Sequence, residues 1–229
     1  MYIDSMYWYF AIPSLLFTLV AQLYVKYMFN KYSAVDSGGE FTGEDAAKLI
    51  RDGESFAVSI ETSQKPLGDH FDPRDSVVRL SKRNSDSKSV ADIAIVAHEF
   101  GHVEQMFDSS FLFRFRQMMV PVTNVGTQVG YLLFFVGLAL SFLRLSEIGL
   151  AFFSTSVLFS LITLPVEIDA SRRGMRLIEK YCLIEKRNIN GARNVLRAAA
   201  FTYFAGLLSS VFNLLYYVNM LNTGRRRRD

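Results

Sequence analysis

The sequence predicts a mostly α membrane protein, with three to four transmembrane helices and a small α+β region on the cytoplasmic side. Three observations lead there. Four windows, Ser5–Val25, Gln117–Leu143, Ile148–Val166 and Ala198–Gly224, contain no Asp, Glu, Lys or Arg, and each can supply the roughly 20 predominantly apolar residues that a membrane-crossing helix needs. The polar stretch after the first window mixes a strand-like alternation with amphipathic helical patterns. Basic residues near the windows are also unevenly placed: Lys26–Arg116 holds 12 and Glu167–Arg197 holds 8, against one in Arg144–Glu147 and none before the first window. The bias of Lys and Arg toward the inside puts both long polar segments in the cytoplasm.

The first window reads as a retained anchor. No basic region precedes it and no small-residue cleavage site follows, and Trp8 with its neighbouring tyrosines suits a membrane interface. After a Gly-containing linker, Thr42 reads as an N-cap, with Glu44 and Asp45 in the first turn of a short amphipathic helix. "SFAVSIET" alternates like a half-buried strand, "KPLGDHFDPRD" reads as turn because of Pro66, Gly68 and Pro73, and "SVVRLSK" reads as a second strand. Ser89 then caps a long helix, "VADIAIVAHEFGHVEQMF", with Asp92 placed to reach back to the cap. Its apolar residues cover most of the circumference, which makes it a central helix. "SSFLFRFRQ" leads into the second window, where Gly126 and Gly130 form a small-xxx-small pair that admits a neighbouring helix. Arg144–Glu147 is a short outside loop, and the third window returns the chain to Glu167. The fourth window ends in "GRRRR". Arg225–Arg228 would lie outside if all four windows crossed, so the number of spans is three to four.

Only three histidines occur, and two are in His98-Glu99-Phe100-Gly101-His102. Four residues along a helix is about 400° of rotation, so the two imidazoles share a face, with Glu99 on the same side of His102. Zinc takes imidazole nitrogens, and a catalytic zinc keeps three protein ligands and one open position. A glutamate between two such histidines is placed to take a proton from water. Gly101 leaves room for close packing beside the metal. Cys182 is alone, which excludes an intramolecular disulfide and a cysteine-ligated zinc. The third ligand is therefore His70 or a carboxylate. Glu167 is the first charge after 19 uncharged residues, and an out-and-back passage through the bilayer delivers it to the face that holds His98 and His102. Asp169, Asp108 and His70 are the alternatives. Nucleic acid is excluded as a partner, since no recognition module surrounds the basic clusters. A transporter is disfavoured, since the windows carry almost no ionisable residue to mark an ion path.

Beyond these patterns, "NKYSAV", "FTGEDAAKLI", "LGDHFDPRDSVVRLS", "VAHEFGHVEQ", "LPVEIDASRRG" and "AAAFTYFAGLLSS" run in order along nearly the whole chain. In these stretches it resembles the YugP-like bacterial integral-membrane neutral zinc metallopeptidases. The resemblance implies a zincin-like catalytic region and a zinc peptidase of the gluzincin kind, whose third ligand is a glutamate from a later helix. Carried onto this sequence, His98, His102 and Glu167 hold Zn²⁺ and Glu99 is the general base. Related membrane zinc peptidases carry an aspartate four residues after the ligand glutamate. Here that residue is Ser171, and Asp169 is the alternative carboxylate for orienting a ligand histidine. His70 is a candidate donor to the oxyanion on the attacked carbonyl, or else a turn histidine satisfied by backbone. The "SVVRLS" strand flanks the cleft and pairs with extended substrate.

The expected organisation is an anchor at 1–31, a cytoplasmic zincin-like region at 32–116, a transmembrane hairpin at 117–166, a cytoplasmic helix with the third ligand at 167–197, and a hydrophobic helix with basic tail at 198–229. The expected protein is a membrane-embedded endopeptidase of the bacterial inner membrane that acts on proteins or peptides, membrane proteins among them, with its active site toward the cytoplasm. The rival reading is a zinc-binding membrane scaffold or quality-control adaptor without turnover, its site closed by a fourth protein ligand such as His70 or Asp169.

Overall fold

The computed structural model describes residues 5–64 and 68–226. The reading of Pro66 as a breaker and the last two tail arginines fall outside them. Seven helices and three strands follow in order: α1 (Ser5–Ser33), α2 (Gly43–Gly53), β1 (Ser59–Ser63), β2 (His70–Asp72), β3 (Val77–Ser81), α3 (Lys82–Asp86), α4 (Val90–Phe107), α5 (Phe111–Ala139), α6 (Leu143–Lys180) and α7 (Ile189–Arg226). Four of them, α1, α5, α6 and α7, are long and apolar enough to cross a membrane. The described residues are mostly helical, with four candidate spans and one small mixed sheet among them.

The chain forms two compact units. The first comprises Met1–Gln22, Phe115–Leu164 and Thr202–Asp229, and it is held by small residues and aromatic rings. A Cβ on Gly130 would lie 2.9 Å from the Gly149 carbonyl oxygen, and one on Gly126 would lie 3.2 Å from Thr155 Oγ1. The glycine pair thus lets α5 meet α6 almost backbone to backbone, the packing that small residues permit in an apolar medium. Ser146 Oγ donates to the Phe134 carbonyl at 3.0 Å, and Ser14 Oγ donates to Ser209 Oγ at 2.9 Å, joining α5 to α6 and α1 to α7. Tyr217 sits among Tyr131, Phe134 and Phe153, with ring centroids 4.9 to 5.8 Å away.

The second unit comprises Leu23–Arg114 and Pro165–Phe201. Its centre is α4, which starts as its sequence indicates. Ser89 Oγ accepts the Asp92 N–H and donates to Asp92 Oδ2 at 2.6 Å. Thirteen of the 18 residues of α4 are buried, so it is packed on most sides. Val96, Phe100 and Val103 form one core with Ile50 of α2, Val78 and Leu80 of β3 and Ile178 of α6, and burying a side chain such as Phe100 contributes about 1.5–3 kcal/mol. Thr42 caps α2 through a capping box with Asp45.

The sheet differs from the expectation in two ways. "HFD", read as turn, is the strand β2. Phe71 is buried there while His70 is exposed, and this one-residue alternation is too short to register against the Gly and Pro around it. The strand order is β1-β3-β2, with β1 parallel and β2 antiparallel to β3. The "VVRLS" strand β3 is therefore central and paired on both sides, with no free edge to offer a substrate. The edge strands are β1 and β2.

The helices differ too. Arg144–Glu147 is the first turn of α6 rather than a loop, and the reversal occupies residues 140–142. α6 also continues unbroken from its apolar stretch through Pro165 to Lys180. Most of the basic residues after Glu167 are paired with carboxylates. Arg173 pairs with Asp108 at 2.5 Å and Asp169 at 2.7 Å, Arg176 with Glu104 at 3.1 Å, and Lys180 with Glu54 at 2.5 Å.

Candidate metal centre

Two helices build the centre. α4 carries His98, Glu99 and His102 on one face, and the segment of α6 after Pro165 lies against it. The approach is closer than any side chain would permit. A Cβ on Gly101 would stand 2.2 Å from the Ala170 carbonyl oxygen, and one on Gly174 would stand 2.8 Å from the Ala97 carbonyl oxygen. Ion pairs from Arg173 and Arg176 to Glu104 and Asp108 hold the same two helices further along. With the backbones this close, Glu167 reaches both histidines. Its Oε2 lies 3.3 Å from His98 Nε2 and 3.5 Å from His102 Nε2. One donor atom from each of the three residues falls within 4.8 Å of the others. Asp169, Asp108 and His70, the other candidates for third ligand, are not in this group, and no fourth His, Cys, Asp or Glu joins it among the described residues.

The hydrogen bonds behind the histidines fix which nitrogen faces inward. Gln105 donates through Nε2 to the Val166 carbonyl at 2.9 Å and to Asp169 Oδ2 at 2.8 Å, so its Oε1 is the atom 2.9 Å from His102 Nδ1. That oxygen can only accept, so Nδ1 carries the proton. In the neutral ring Nε2 then presents a lone pair to the Glu167 carboxylate. His98 Nδ1 meets Ser171 Oγ at 3.2 Å, so its Nε2 also faces inward. Acceptors converging on acceptors repel unless a proton or a cation lies among them. The two separations from Glu167 Oε2 suit a cation: two ligands at about 2.0–2.2 Å from a tetrahedral Zn²⁺ stand roughly 3.3–3.5 Å apart. The donor set fits zinc.

Burial opposes a charge on His102, but the Glu167 carboxylate outweighs it and raises the imidazole above its ordinary 6.5. In the metal-free chain that pair stabilises the fold at low pH, and the contribution is lost as pH rises through the raised value. Metal uptake runs the other way, because the proton must leave first. Zinc affinity, titrated against a competing chelator, is expected to fall steadily as pH drops below the His102 titration.

Glu99 is held separately. Its Oε2 accepts the Phe71 N–H of β2 at 2.9 Å, so the edge strand positions the carboxylate. His70, one residue earlier, is exposed, with Nδ1 2.7 Å from the Gly68 carbonyl. Asp69, just before β2, accepts the Ser81 N–H at 2.7 Å. Asp169, expected beside a ligand histidine, touches Gln105 and Arg173 and acts on His102 only through Gln105. Ser171 occupies the aspartate's place and meets His98 directly. The Gln105 relay was missed in the sequence. Its signal was the i, i+3 spacing from His102. Gln105→Leu is expected to weaken zinc binding about 10- to 100-fold, read by chelator competition at fixed pH.

Four apolar helices and a group of two imidazoles and a carboxylate, with His98 half-buried and His102 and Glu167 buried, outline an integral membrane protein with a candidate metal site. The model of a family described as "Putative neutral zinc metallopeptidase" matches residues 7–222. The chain belongs to that family. It is 39% identical over 206 residues to the "Putative membrane protease YugP" of Bacillus subtilis (strain 168), covering 90% of this chain and 92% of that protein. No solved structure matches it.

Proposed function

We propose that the chain is a membrane-embedded, zinc-dependent endopeptidase of the gluzincin kind, working on the cytoplasmic side of the cell inner membrane. The observation that carries this reading is the inward convergence of His98 Nε2, His102 Nε2 and Glu167 Oε2 beside a glutamate that a sheet-edge amide holds in place. His98, His102 and Glu167 are the ligands. Bound zinc supplies a Lewis acid that polarises a carbonyl oxygen and lowers the pKa of water. Glu99 takes the proton of the attacking water as the O–C bond forms, then gives it to the departing amine nitrogen as the C–N bond breaks. The substrate is a protein or peptide, including membrane proteins, lying extended beside β2, the edge strand that holds Glu99. The organisation proposed with it is the anchor 1–31, the catalytic region 32–116, the hairpin 117–166, the ligand helix 167–197 and the terminal helix 198–229.

A catalytic zinc keeps one open position, and this reading is supported over a closed scaffold site by a group that includes no fourth His, Cys, Asp or Glu among the described residues. His70 is the proposed oxyanion donor. With Nδ1 engaged by the Gly68 carbonyl, Nε2 is the nitrogen left for that task.

The test is metal quantification on the purified full chain with digestion of a peptide library. One zinc per chain, cleavage that stops on chelation and cleavage that returns with added zinc are the expected results. One tightly held zinc without cleavage of any peptide would favour the scaffold. His70→Ala should lower kcat by about 10²–10³ with zinc content unchanged.

A further inference from the structure

Behind His98 the same unit contains a cavity of about 500 Å³ between α6 and α7, lined by Ser171, Arg172, Arg193, Arg197, Met175 and Leu196 among others. We propose that it binds the phosphate of an anionic phospholipid headgroup. Three features of the cavity argue for this ligand.

The first is charge. Arg193 already has partners, Glu179 at 3.6 Å and Asn190 at 3.0 Å. Arg172 and Arg197 make no ion pair among the described residues, while Arg173, Arg176 and Lys180 on the same stretch of α6 all do. Two guanidinium groups from facing helices therefore present an excess positive charge to one cavity. Guanidinium binds phosphate oxygens in bidentate fashion, and the Ser171 hydroxyl adds a donor.

The second is position. Arg197 immediately precedes the uncharged stretch Ala198–Gly224, and Arg172 follows the uncharged stretch Ile148–Val166 by six residues, about 9 Å along a helix. Both arginines thus stand at the ends of the apolar segments, the level at which headgroup phosphates lie, and basic pockets between helices there take lipid headgroups.

The third is the character of the wall. Ile168, Met175, Leu196 and Ala200 line the cavity beside the arginines. A free phosphate has no use for them, whereas the glycerol and first methylenes of a lipid do. A peptide carboxylate is the less suited anion. Ser171 meets His98 at Nδ1, whereas Nε2 faces Glu167, so the cavity lies behind the imidazole, away from the face where a peptide would meet the metal donors.

The experiment is native mass spectrometry of the full chain released from micelles doped with phosphatidylglycerol or with phosphatidylcholine, with thermal stability measured alongside. Arg172→Gln/Arg197→Gln keeps the aliphatic stems, and Lys186→Gln/Arg187→Gln removes the same charge elsewhere on the unit. Phosphatidylglycerol should stay bound to the parent and to the Lys186/Arg187 variant. It should bind roughly 30-fold more weakly to the Arg172/Arg197 variant, whose unchanged melting profile without lipid would report an intact fold. Equal retention by all three proteins would overturn the site, as would an equal loss in both variants. Stabilisation of the parent by inorganic phosphate but not by the lipid would overturn the headgroup in favour of a free-anion site. Displacement of the lipid by an acidic peptide that is also cleaved would make the cavity a substrate subsite instead.

Discussion

Glu99→Gln is expected to retain one zinc per chain and to lose cleavage by at least about 10²–10⁴-fold. The substitution separates chemistry from structure because of how Glu99 is held. Its Oε2 accepts the Phe71 N–H at 2.9 Å, and a glutamine carbonyl oxygen can accept the same bond at the same length. The carboxamide keeps the volume of the side chain and its tie to β2, so α4, the sheet and the three proposed metal ligands have no reason to move. It cannot take a proton from water at neutral pH, however, and has none to return to the amine. Zinc content and melting temperature should match the parent, while kcat falls and KM changes little. The substrate still meets the same cleft, and the lost interaction belongs to the transition state. Undiminished cleavage by this variant would remove Glu99 from the mechanism and leave the proposed zinc site without a base.

The parts of this protein that were legible in the sequence are those set by local chemistry. The caps at Thr42 and Ser89 lie at the starts of α2 and α4 because a side-chain oxygen and a first-turn carboxylate suffice to define a helix start. The four apolar stretches form long helices because the pattern is long and uninterrupted. His98 and His102 share a face because helix pitch alone dictates it. The approach of Glu167 to them could be anticipated only from the order of the windows and the resemblance, since it depends on a contact between residues about 65 apart in the chain. What was hidden follows from tertiary context. β2 has three residues and its pairing with β3 is non-local. The ends of α4, α5 and α6 carried no glycine signal: Ser109, Ser141 and Cys182 adopt positive φ there, a conformation that glycine usually marks. Gln105 reads as an ordinary polar residue until the backbone carbonyl of Val166 and the carboxylate of Asp169 arrive to orient its amide.

Gly101→Ala should cost the protein its metal centre although the new methyl touches no ligand. A Cβ at Gly101 would lie 2.2 Å from the Ala170 carbonyl oxygen, 2.9 Å from its carbon and 3.1 Å from the Ala170 Cα. All three are backbone atoms, so no rotamer change relieves the contact. Gly174 makes the reciprocal approach, with its Cβ position 2.8 Å from the Ala97 carbonyl oxygen and 3.0 Å from the His98 nitrogen. The two helices therefore touch at successive turns, next to the histidines on α4 and just C-terminal to Glu167 on α6. Restoring an ordinary carbon–oxygen separation of about 3.3 Å requires α4 and α6 to part by about 1 Å. The ion pairs of Arg173 and Arg176 can stretch, but metal coordination tolerates only about 0.2 Å, so Glu167 leaves the reach of the two imidazoles. Zinc stoichiometry should fall well below one, and cleavage by about 10²-fold or more. The overpacked contact should lower stability by about 1–3 kcal/mol in thermal unfolding. Gly206→Ala is the internal comparison, since a Cβ there meets nothing within 4 Å. That variant should keep its zinc and its activity and gain slightly in helix stability. If Gly101→Ala also kept full zinc and full cleavage, the close helix approach would not be what sets the distance between Glu167 and the histidines.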